Sequence, residues 1–588
     1  MKWFKSFLVL ACCFFSRWGY SQSGFLKAEG KRIVDGRGEN ILLRGIGLGG
    51  WMLQEGYMLH LNNEGQQYRV RQRIEALISK EQTQEFYNLW LSNHTTKSDI
   101  DSLHAWGFNS VRLPMHYKLY TLPVEDEPVT GQDTWLPTGF ALTDSLIAWC
   151  KANHMYVILD LHAAPGGQGN DLNISDSDPS KPSLWQSEAN RNKTISLWRK
   201  LAERYLNETT VAGYDILNEP NWGFDDTAKD RNGLNEKNNI PLKKLLQDIT
   251  LAIREVDKNH IVIIEGNGWG NNYKGMLPPW DNNMVLSFHK YWNQNDIGSI
   301  QYILNYRDQY NMPVWVGETG ENSNVWFTEA IHLFESNNIG WAWWPLKKLG
   351  NNNPLQIRSN PQYDSLVNYW NGKTSKAPLA PDVYKGLIEL AKNTKFENNI
   401  THRDVTDAMI RQPFSSEAIP YSYKGNIIVA GTVLAATDYD LGINGSAYYD
   451  KDTANFSIKG RENVGNRGRV YRNDGVDIYE DSMKKENFYI GHIEAGEWLQ
   501  YTIDVQDPGT YSLRFSVSSE TAGGAMHISG VGESGIKTQN IQIPATGGNQ
   551  NWRSVTLNNI QLTESVHHLR IYFDKGGFNL GSISFLKN

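Results

Sequence analysis

The chain has 588 residues, 40% of them apolar and 21% charged, with a net charge of -7. That length exceeds what one hydrophobic core organises, so at least two domains are expected, and the composition excludes a disordered chain. The negative balance disfavours partners that need a broad basic face, namely nucleic acid and anionic membrane.

In chain order, the first feature is Lys2 and Lys5 ahead of the apolar run Phe7 to Phe15, with small residues at Gly19 and Ser21. This reads as an export signal over residues 1–22, cleaved after about Ser21, and predicts a secreted protein. The run is too short to span a bilayer and no other stretch reads as a membrane span. Val9-Leu10-Ala11-Cys12 faintly resembles a lipoprotein signal, but it comes early and the apolar run continues past it. Two of the three cysteines lie in this segment, leaving Cys150 and no internal disulfide. Cys150 falls in the helical run Leu142 to Ala152 and is expected to be buried.

From Leu42 to Trp344, short β-rich runs alternate with helical stretches. The runs are Leu42 to Gly47, Ser110 to Pro114, Tyr156 to Leu161, Gly213 to Leu217, Ile261 to Glu265, Met284 to Phe288, Pro313 to Gly317 and Gly340 to Trp344. Each is apolar over nearly its whole length, as a strand covered on both faces should be. Amphipathic segments such as Thr194 to Leu206 and Leu242 to Val256 lie between them. Eight β–α units predict an α/β fold, a closed (β/α)8 TIM barrel over residues 23–395 whose last helix is Lys376 to Lys395. Residues 396–425 read as a connection, with Asn-Asn, Ser-Ser and two prolines. Beyond it, alternating runs such as Trp498 to Val505, Tyr511 to Val517 and His568 to Phe573 predict an all-β sandwich over 426–588.

Polar residues cluster after the strand runs. Arg112 ends the second, His162 follows the third, Asn218-Glu219-Pro220 the fourth, His289 and Tyr291 the sixth, and Glu318 the seventh; Trp344 closes the eighth. In a barrel these ends converge on one face, where active sites are built. Two carboxyls there suit cleavage of a glycosidic bond, one as acid and one on the opposite side. A separation of roughly 5 to 5.5 Å lets the second attack the sugar, whereas wider spacing leaves room for water. Like charges that close raise one pKa and keep the acid protonated. Arg112 and Tyr291 could hydrogen-bond the nucleophile, Asn218 the sugar 2-hydroxyl, and Trp344 could floor the site. The 21 Trp and 28 Tyr fit a sugar cleft, although most will be core. No closely spaced ligand set suggests a metal, and Ala164 to Gly169 lacks the Lys-Ser/Thr of a phosphate loop.

On these motifs the chain resembles glycoside hydrolase family 5 from about Phe25 to Lys395. The resemblance implies Glu219 as acid/base, Glu318 as nucleophile and a retaining mechanism. Arg112, His162, Asn218, His289, Tyr291 and Trp344 would support them, with His289 and Tyr291 orienting the carboxylates and the sugar. Leu-Asp-Leu-His-Ala-Ala-Pro-Gly-Gly-Gln and Gly-Trp-Ala-Trp-Trp-Pro-Leu-Lys resemble the exo-β-1,3-glucanase branch, which makes a β-glucan the lead substrate; the Trp51 to Leu91 segment departs from that branch. The C-terminal region resembles carbohydrate-binding module family 6 through Arg472 to Ile478, Gly496 to Tyr501 and Phe578-Asn579-Leu580. That implies a jelly roll binding sugar at Trp552 and Asn579, with Trp498 or His492 as the second ring. The family's Glu-Ala-Glu calcium segment aligns with Leu434 to Tyr439, where both glutamates are missing. A structural calcium there is therefore in doubt, and no other cofactor is implied. Two further readings stay open: a non-catalytic glycan-binding protein with a decayed barrel, and a glycolipid-directed β-glycosidase.

Overall fold

The computed structural model describes residues 23–452, 458, 466–531 and 540–588. The export signal expected over residues 1–22 lies outside the described residues.

Eight parallel strands close into a barrel: β1 (Arg44–Gly47), β2 (Ser110–His116), β3 (Tyr156–Ala163), β4 (Val211–Asp215), β5 (Ile261–Glu265), β6 (Met284–Lys290), β7 (Val314–Gly320) and β8 (Gly340–Trp344), with β8 pairing both β7 and β1. Residues of β2, β3, β5, β6, β7 and β8 are buried throughout. Their apolar runs pack inward on the barrel axis and outward on the surrounding helices. Those helices are set by local chemistry. Lys80–Asn93 begins with a Ser79/Gln82 capping box, and Ile240–Val256 begins with a proline in its first turn and buries Leu242, Leu245, Leu246, Ile249 and Ile253 at helical spacing.

Three differences from the sequence reading bear on the site. β2, β3, β6 and β7 run two or three residues beyond their expected apolar ends, carrying His116, His162, Lys290 and Gly320 on the strands. The segment from Trp51 folds back over the barrel mouth, and its Leu59, Val70, Phe86 and Trp90 share a cluster with Trp370 and Leu387 of the last helices. The stretch 396–425 is more than a connection. It holds strand Ile400–Thr401, paired to Leu355–Gln356, and helix Arg403–Ile410, whose Val405, Ala408 and Met409 enter the barrel core.

Lys347, just past β8, pairs with Asp99 at 2.5 Å with both side chains fully buried. Losing one partner of such a pair costs about 3–5 kcal/mol. The pair therefore fixes the strand that carries Lys348 toward the barrel mouth.

The C-terminal region is a two-sheet antiparallel sandwich with its own core. One sheet centres on Trp498–Val505, Ser565–Lys575 and Gly524–Val531. The other contains Ile478–Glu480, Phe488–Ile490, Asn579–Lys587, Gly509–Ser519 and Gly548–Leu562. Among the described residues no helix is long and apolar enough to cross a membrane.

Candidate active site

Arg112 leaves β2 into the barrel axis, fully buried, and collects acids from four other strands. Nη1 meets Glu318 Oε1 at 2.5 Å and Asp160 Oδ2 at 3.2 Å; Nη2 donates to Glu265 Oε1 at 3.0 Å; Nε donates to Asp215 Oδ2 at 2.9 Å. Nη2 also donates to Asn218 Oδ1 at 2.8 Å. A guanidinium has no acceptor, so this contact fixes the Asn218 amide with its nitrogen pointing away. That nitrogen meets His162 Nε2 at 3.3 Å, so Nε2 accepts and Nδ1 carries the proton that goes to Asp160 Oδ2 at 2.8 Å. Burial pushes His162 down to about 3, and the ring is neutral. It stacks on Trp344 with centroids 5.1 Å apart and planes 6° from parallel.

Glu219 sits where the chain leaves β4. Its φ of +42° is left-handed, a conformation that costs a non-glycine residue roughly 1–2 kcal/mol. The strain is held by Glu265 Oε2, which accepts the Glu219 N–H at 2.7 Å, and Pro220 follows at once. The turn aims the Glu219 carboxyl across the mouth. His289, at the end of β6, bridges two acids: Nδ1 lies 2.6 Å from Glu219 Oε1 and Nε2 lies 3.1 Å from Glu265 Oε1. Burial alone would lower the His289 pKa, yet Glu265, Glu318 and Glu219 together hold it well above its ordinary value. Glu265, despite its burial, is held below its ordinary range by His289 and Arg112. Burial, opposed by His289 and reinforced by Glu318 and Glu265, raises Glu219 to about 7.

Glu318 faces Glu219 from β7. Tyr291 OH donates to Oε2 at 3.0 Å while Arg112 donates to Oε1, so both oxygens are held as acceptors. A carboxylate oxygen of Glu318 lies within 4.8 Å of one on Glu219, with His289 inside the same distance. All eight barrel residues singled out from sequence thus meet in one place. Asp160, Asp215 and Glu265 were not singled out. Each is an acid within a largely apolar strand, and Glu265 closes its run while Arg112 lies within β2; that was the available signal.

The cleft above them holds about 700 Å³, within the usual range for ligand sites. Its walls add residues that strand ends could not reveal: Glu55, Tyr57, Asp171, Trp269, Trp292 and Glu321. Tyr57 OH accepts from Trp344 Nε1 at 3.0 Å, and Lys348 Nζ donates to Glu321 at 2.5 Å. Burial, with Glu318, Glu321, Glu219 and Asp171 nearby, pushes Glu55 well above the usual carboxylate range. Trp292 stands 65% exposed at the lip.

Two groups of three, Asp160/His162/Glu318 and Glu219/His289/Glu318, are compact enough to hold a metal ion. The first joins Asp160 and His162 of β3 to Glu318 of β7, and the second gathers residues at the ends of β4, β6 and β7. The second offers poor ligands, because an imidazole donating from both nitrogens has no lone pair to give. In the first, the His162 nitrogen that faces Asp160 and Glu318 carries the ring's proton.

In the sandwich, a cleft of about 390 Å³ is lined by Tyr479, Tyr489, His492, Asn549, Phe578 and Asn579. Tyr479 and Tyr489 are cross-strand partners with ring centroids 5.8 Å apart and planes at 24°. Asn579 Nδ2 donates to Ser518 Oγ at 3.1 Å and Asn549 O at 2.7 Å. Two of the four residues singled out by resemblance, Asn579 and His492, are here; the two tryptophans are not. Trp498 belongs to the other sheet, buried under Arg570, whose guanidinium lies 3.9 Å from the ring centre. Trp552 lies edge-on to Tyr489 at 5.3 Å, in the hollow left by Gly581, where a Cβ would come within 3.2 Å of the indole.

Residues 71–350 match the family Cellulase (glycosyl hydrolase family 5), and residues 469–587 match Carbohydrate binding module (family 6). A β-xylosidase of Phanerodontia chrysosporium is 25% identical over 414 residues, 63% of this chain and 82% of that protein. Endoglucanase C of Acetivibrio thermocellus is 27% identical over 249 residues, covering 42% of this chain and 57% of the relative. A probable glucan 1,3-beta-glucosidase A of Aspergillus niger is 30% identical over 183 residues, 31% and 41% of the two chains. The chain thus spans little more than half, or less, of the last two.

Proposed function

We propose that this chain, with a glycosyl hydrolase family 5 match in its barrel and a family 6 carbohydrate-binding match in its sandwich, is a retaining β-glycosidase acting on a neutral β-glucan. The observation that carries the mechanism is the pair Glu219 and Glu318, with carboxylate oxygens within 4.8 Å of one another. That is closer than the spacing that admits an attacking water beside a bound sugar, and it favours direct attack.

Glu318, held by Arg112 and Tyr291, attacks the anomeric carbon. Glu219, with its pKa raised to about 7, gives its proton to the departing oxygen. The products of this step are a glycosyl ester on Glu318 and a free aglycone. Glu219, now a base, then takes a proton from water as that water attacks the ester, releasing the sugar with its original configuration. His289 shares the Glu219 carboxyl and keeps it aimed at the bond through both half-reactions.

Three features support a neutral polysaccharide. Asp171, Glu318 and Glu321 line the cleft and disfavour an anionic glycan. Trp269, Trp292, Trp344, Tyr57 and Tyr291 offer rings to sugar faces. The named relatives act, by their names, on xylosides and glucans. Export by residues 1–22 fits a polymer that cannot enter the cell, and the sandwich raises the effective concentration of the barrel at that polymer.

The test is product release from β-1,3-, β-1,4- and β-1,6-glucans, xylan, mannan and glucosylceramide. Oligosaccharides or glucose from one of the glucans is the expected result. Release only from glucosylceramide moves the assignment to glycolipids, and binding without release on every substrate refutes an enzyme.

A further inference from the structure

Among the described residues, the sandwich meets the barrel at a buried polar joint in the turn that follows the nucleophile's strand. After Glu318 and Gly320, the chain turns through Glu321, whose φ of +52° is left-handed, then Asn322 and Ser323 before helix Asn324–Ser336. Asn473 of the sandwich enters this turn. Its Nδ2 donates to Asn322 O at 2.8 Å and to Asn324 Oδ1 at 3.1 Å. Its carbonyl accepts from Asn324 N–H at 2.8 Å. Its own N–H donates to Asp404 Oδ2 at 2.8 Å, and Asn324 Nδ2 donates to the same oxygen at 2.8 Å. Asn322, Asn324, Asp404 and Asn473 are all buried. Arg472, also buried, is held within the sandwich by Asp474 and the Tyr439 and Asp440 carbonyls, which makes the joint stiff on that side.

We infer that Asn473 is a positioning residue for the barrel: the sandwich holds the turn after β7, and with it Glu321 and Glu318, in the geometry the reaction needs. The reasoning is energetic. A left-handed non-glycine residue persists only where its surroundings over-determine it. Lys348 pins the Glu321 side chain from one side, and Asn473 pins the next carbonyl from the other. Without the Asn473 side chain, Asn322 O and Asn324 Oδ1 are buried and lose their donor, at a cost that the turn relieves by moving. Glu321 lines the cleft, so the movement reaches the substrate. A displacement of about 1 Å in such a site is enough to lose about 10²-fold in rate. A sandwich that only tethers the barrel to a polymer would have no reason to bury four asparagine and aspartate side chains at this place.

The inference rests on the glycosidase reading, and the experiment separates the two. In the full chain, Asn473→Ala is compared with wild type on a soluble aryl β-glycoside, which has no use for polymer binding. The expected result is kcat lowered about tenfold or more with KM nearly unchanged, while retention on insoluble glucan stays at the wild-type level. Hydrogen exchange then reads faster amide exchange in residues 320–326, with no change in the sandwich strands. Wild-type kcat together with wild-type exchange in the turn overturns the inference. A wild-type enzyme that cleaves no glycoside overturns the glycosidase reading, while the exchange measurement still decides the joint. If Asn473→Ala fails to fold, Asn324→Ala removes the Oδ1 that accepts from Asn473 Nδ2 and the amide that reaches Asp404, and is read in the same way.

Discussion

The barrel cleft and the sandwich cleft both pair polar groups with aromatic rings, but they are built differently. In the barrel, each reacting group hangs from the end of a strand whose position is fixed by the parallel ladder, and Arg112 ties β3, β4, β5 and β7 to one point on the axis. In the sandwich, the cleft forms where short strands and loops meet, with the Tyr479–Tyr489 pair as its aromatic surface. The first architecture fixes geometry tightly enough for bond cleavage. The second offers a face for reversible contact.

The largest effect expected from this contrast comes from Glu318→Ala. Turnover on an aryl β-glycoside should fall by about 10⁴-fold or more, while retention of the protein on insoluble glucan is unchanged. Near-wild-type rates would remove the nucleophile from the account. A smaller effect concerns pH. The acid must be protonated, and Glu219 titrates at about 7. Above that pH, kcat/KM should drop toward tenfold per unit, and binding by the sandwich should not follow the same limb. A rate that keeps rising through pH 9 (about two units above the expected break) would mean that another group is the acid. The smallest effects separate the sandwich rings. Tyr479→Ala should weaken retention on polymer, since stacked rings contribute about 0.5–1.5 kcal/mol, and leave small-substrate kinetics alone. Trp552→Ala should act on sandwich stability more than on binding. The reverse order, with Trp552 dominant, would favour the site implied by resemblance.

The two regions were also unequally legible in the sequence. The runs Ile261 to Glu265 and Gly340 to Trp344 coincide with observed strands, because burial on both faces writes itself as apolar continuity, and Trp498 to Val505 coincides through its alternation. Barrel topology then brought Glu219 and Glu318 together without any contact being known. Where β2, β3, β6 and β7 overran their apolar ends, the extra residues belong to the mouth, where polarity serves the site and hides the strand. Glu55, Tyr57 and Glu321 could not be read in advance, since their place depends on how loops fold over the mouth. In the sandwich, Trp498 and Trp552 were singled out by residue type and alignment. Which sheet a ring faces, and that Gly581 opens a hollow for Trp552, are facts of packing. Asn473 lies within a motif of the binding module, yet it faces the barrel.

The most direct test is the configuration of the first product. Hydrolysis of an aryl β-glucoside followed by ¹H NMR should show the β-anomer first, with the α-anomer appearing only as mutarotation proceeds. An α-anomer released first would require a water activated by Glu318 to attack in its place, and would contradict direct attack by Glu318.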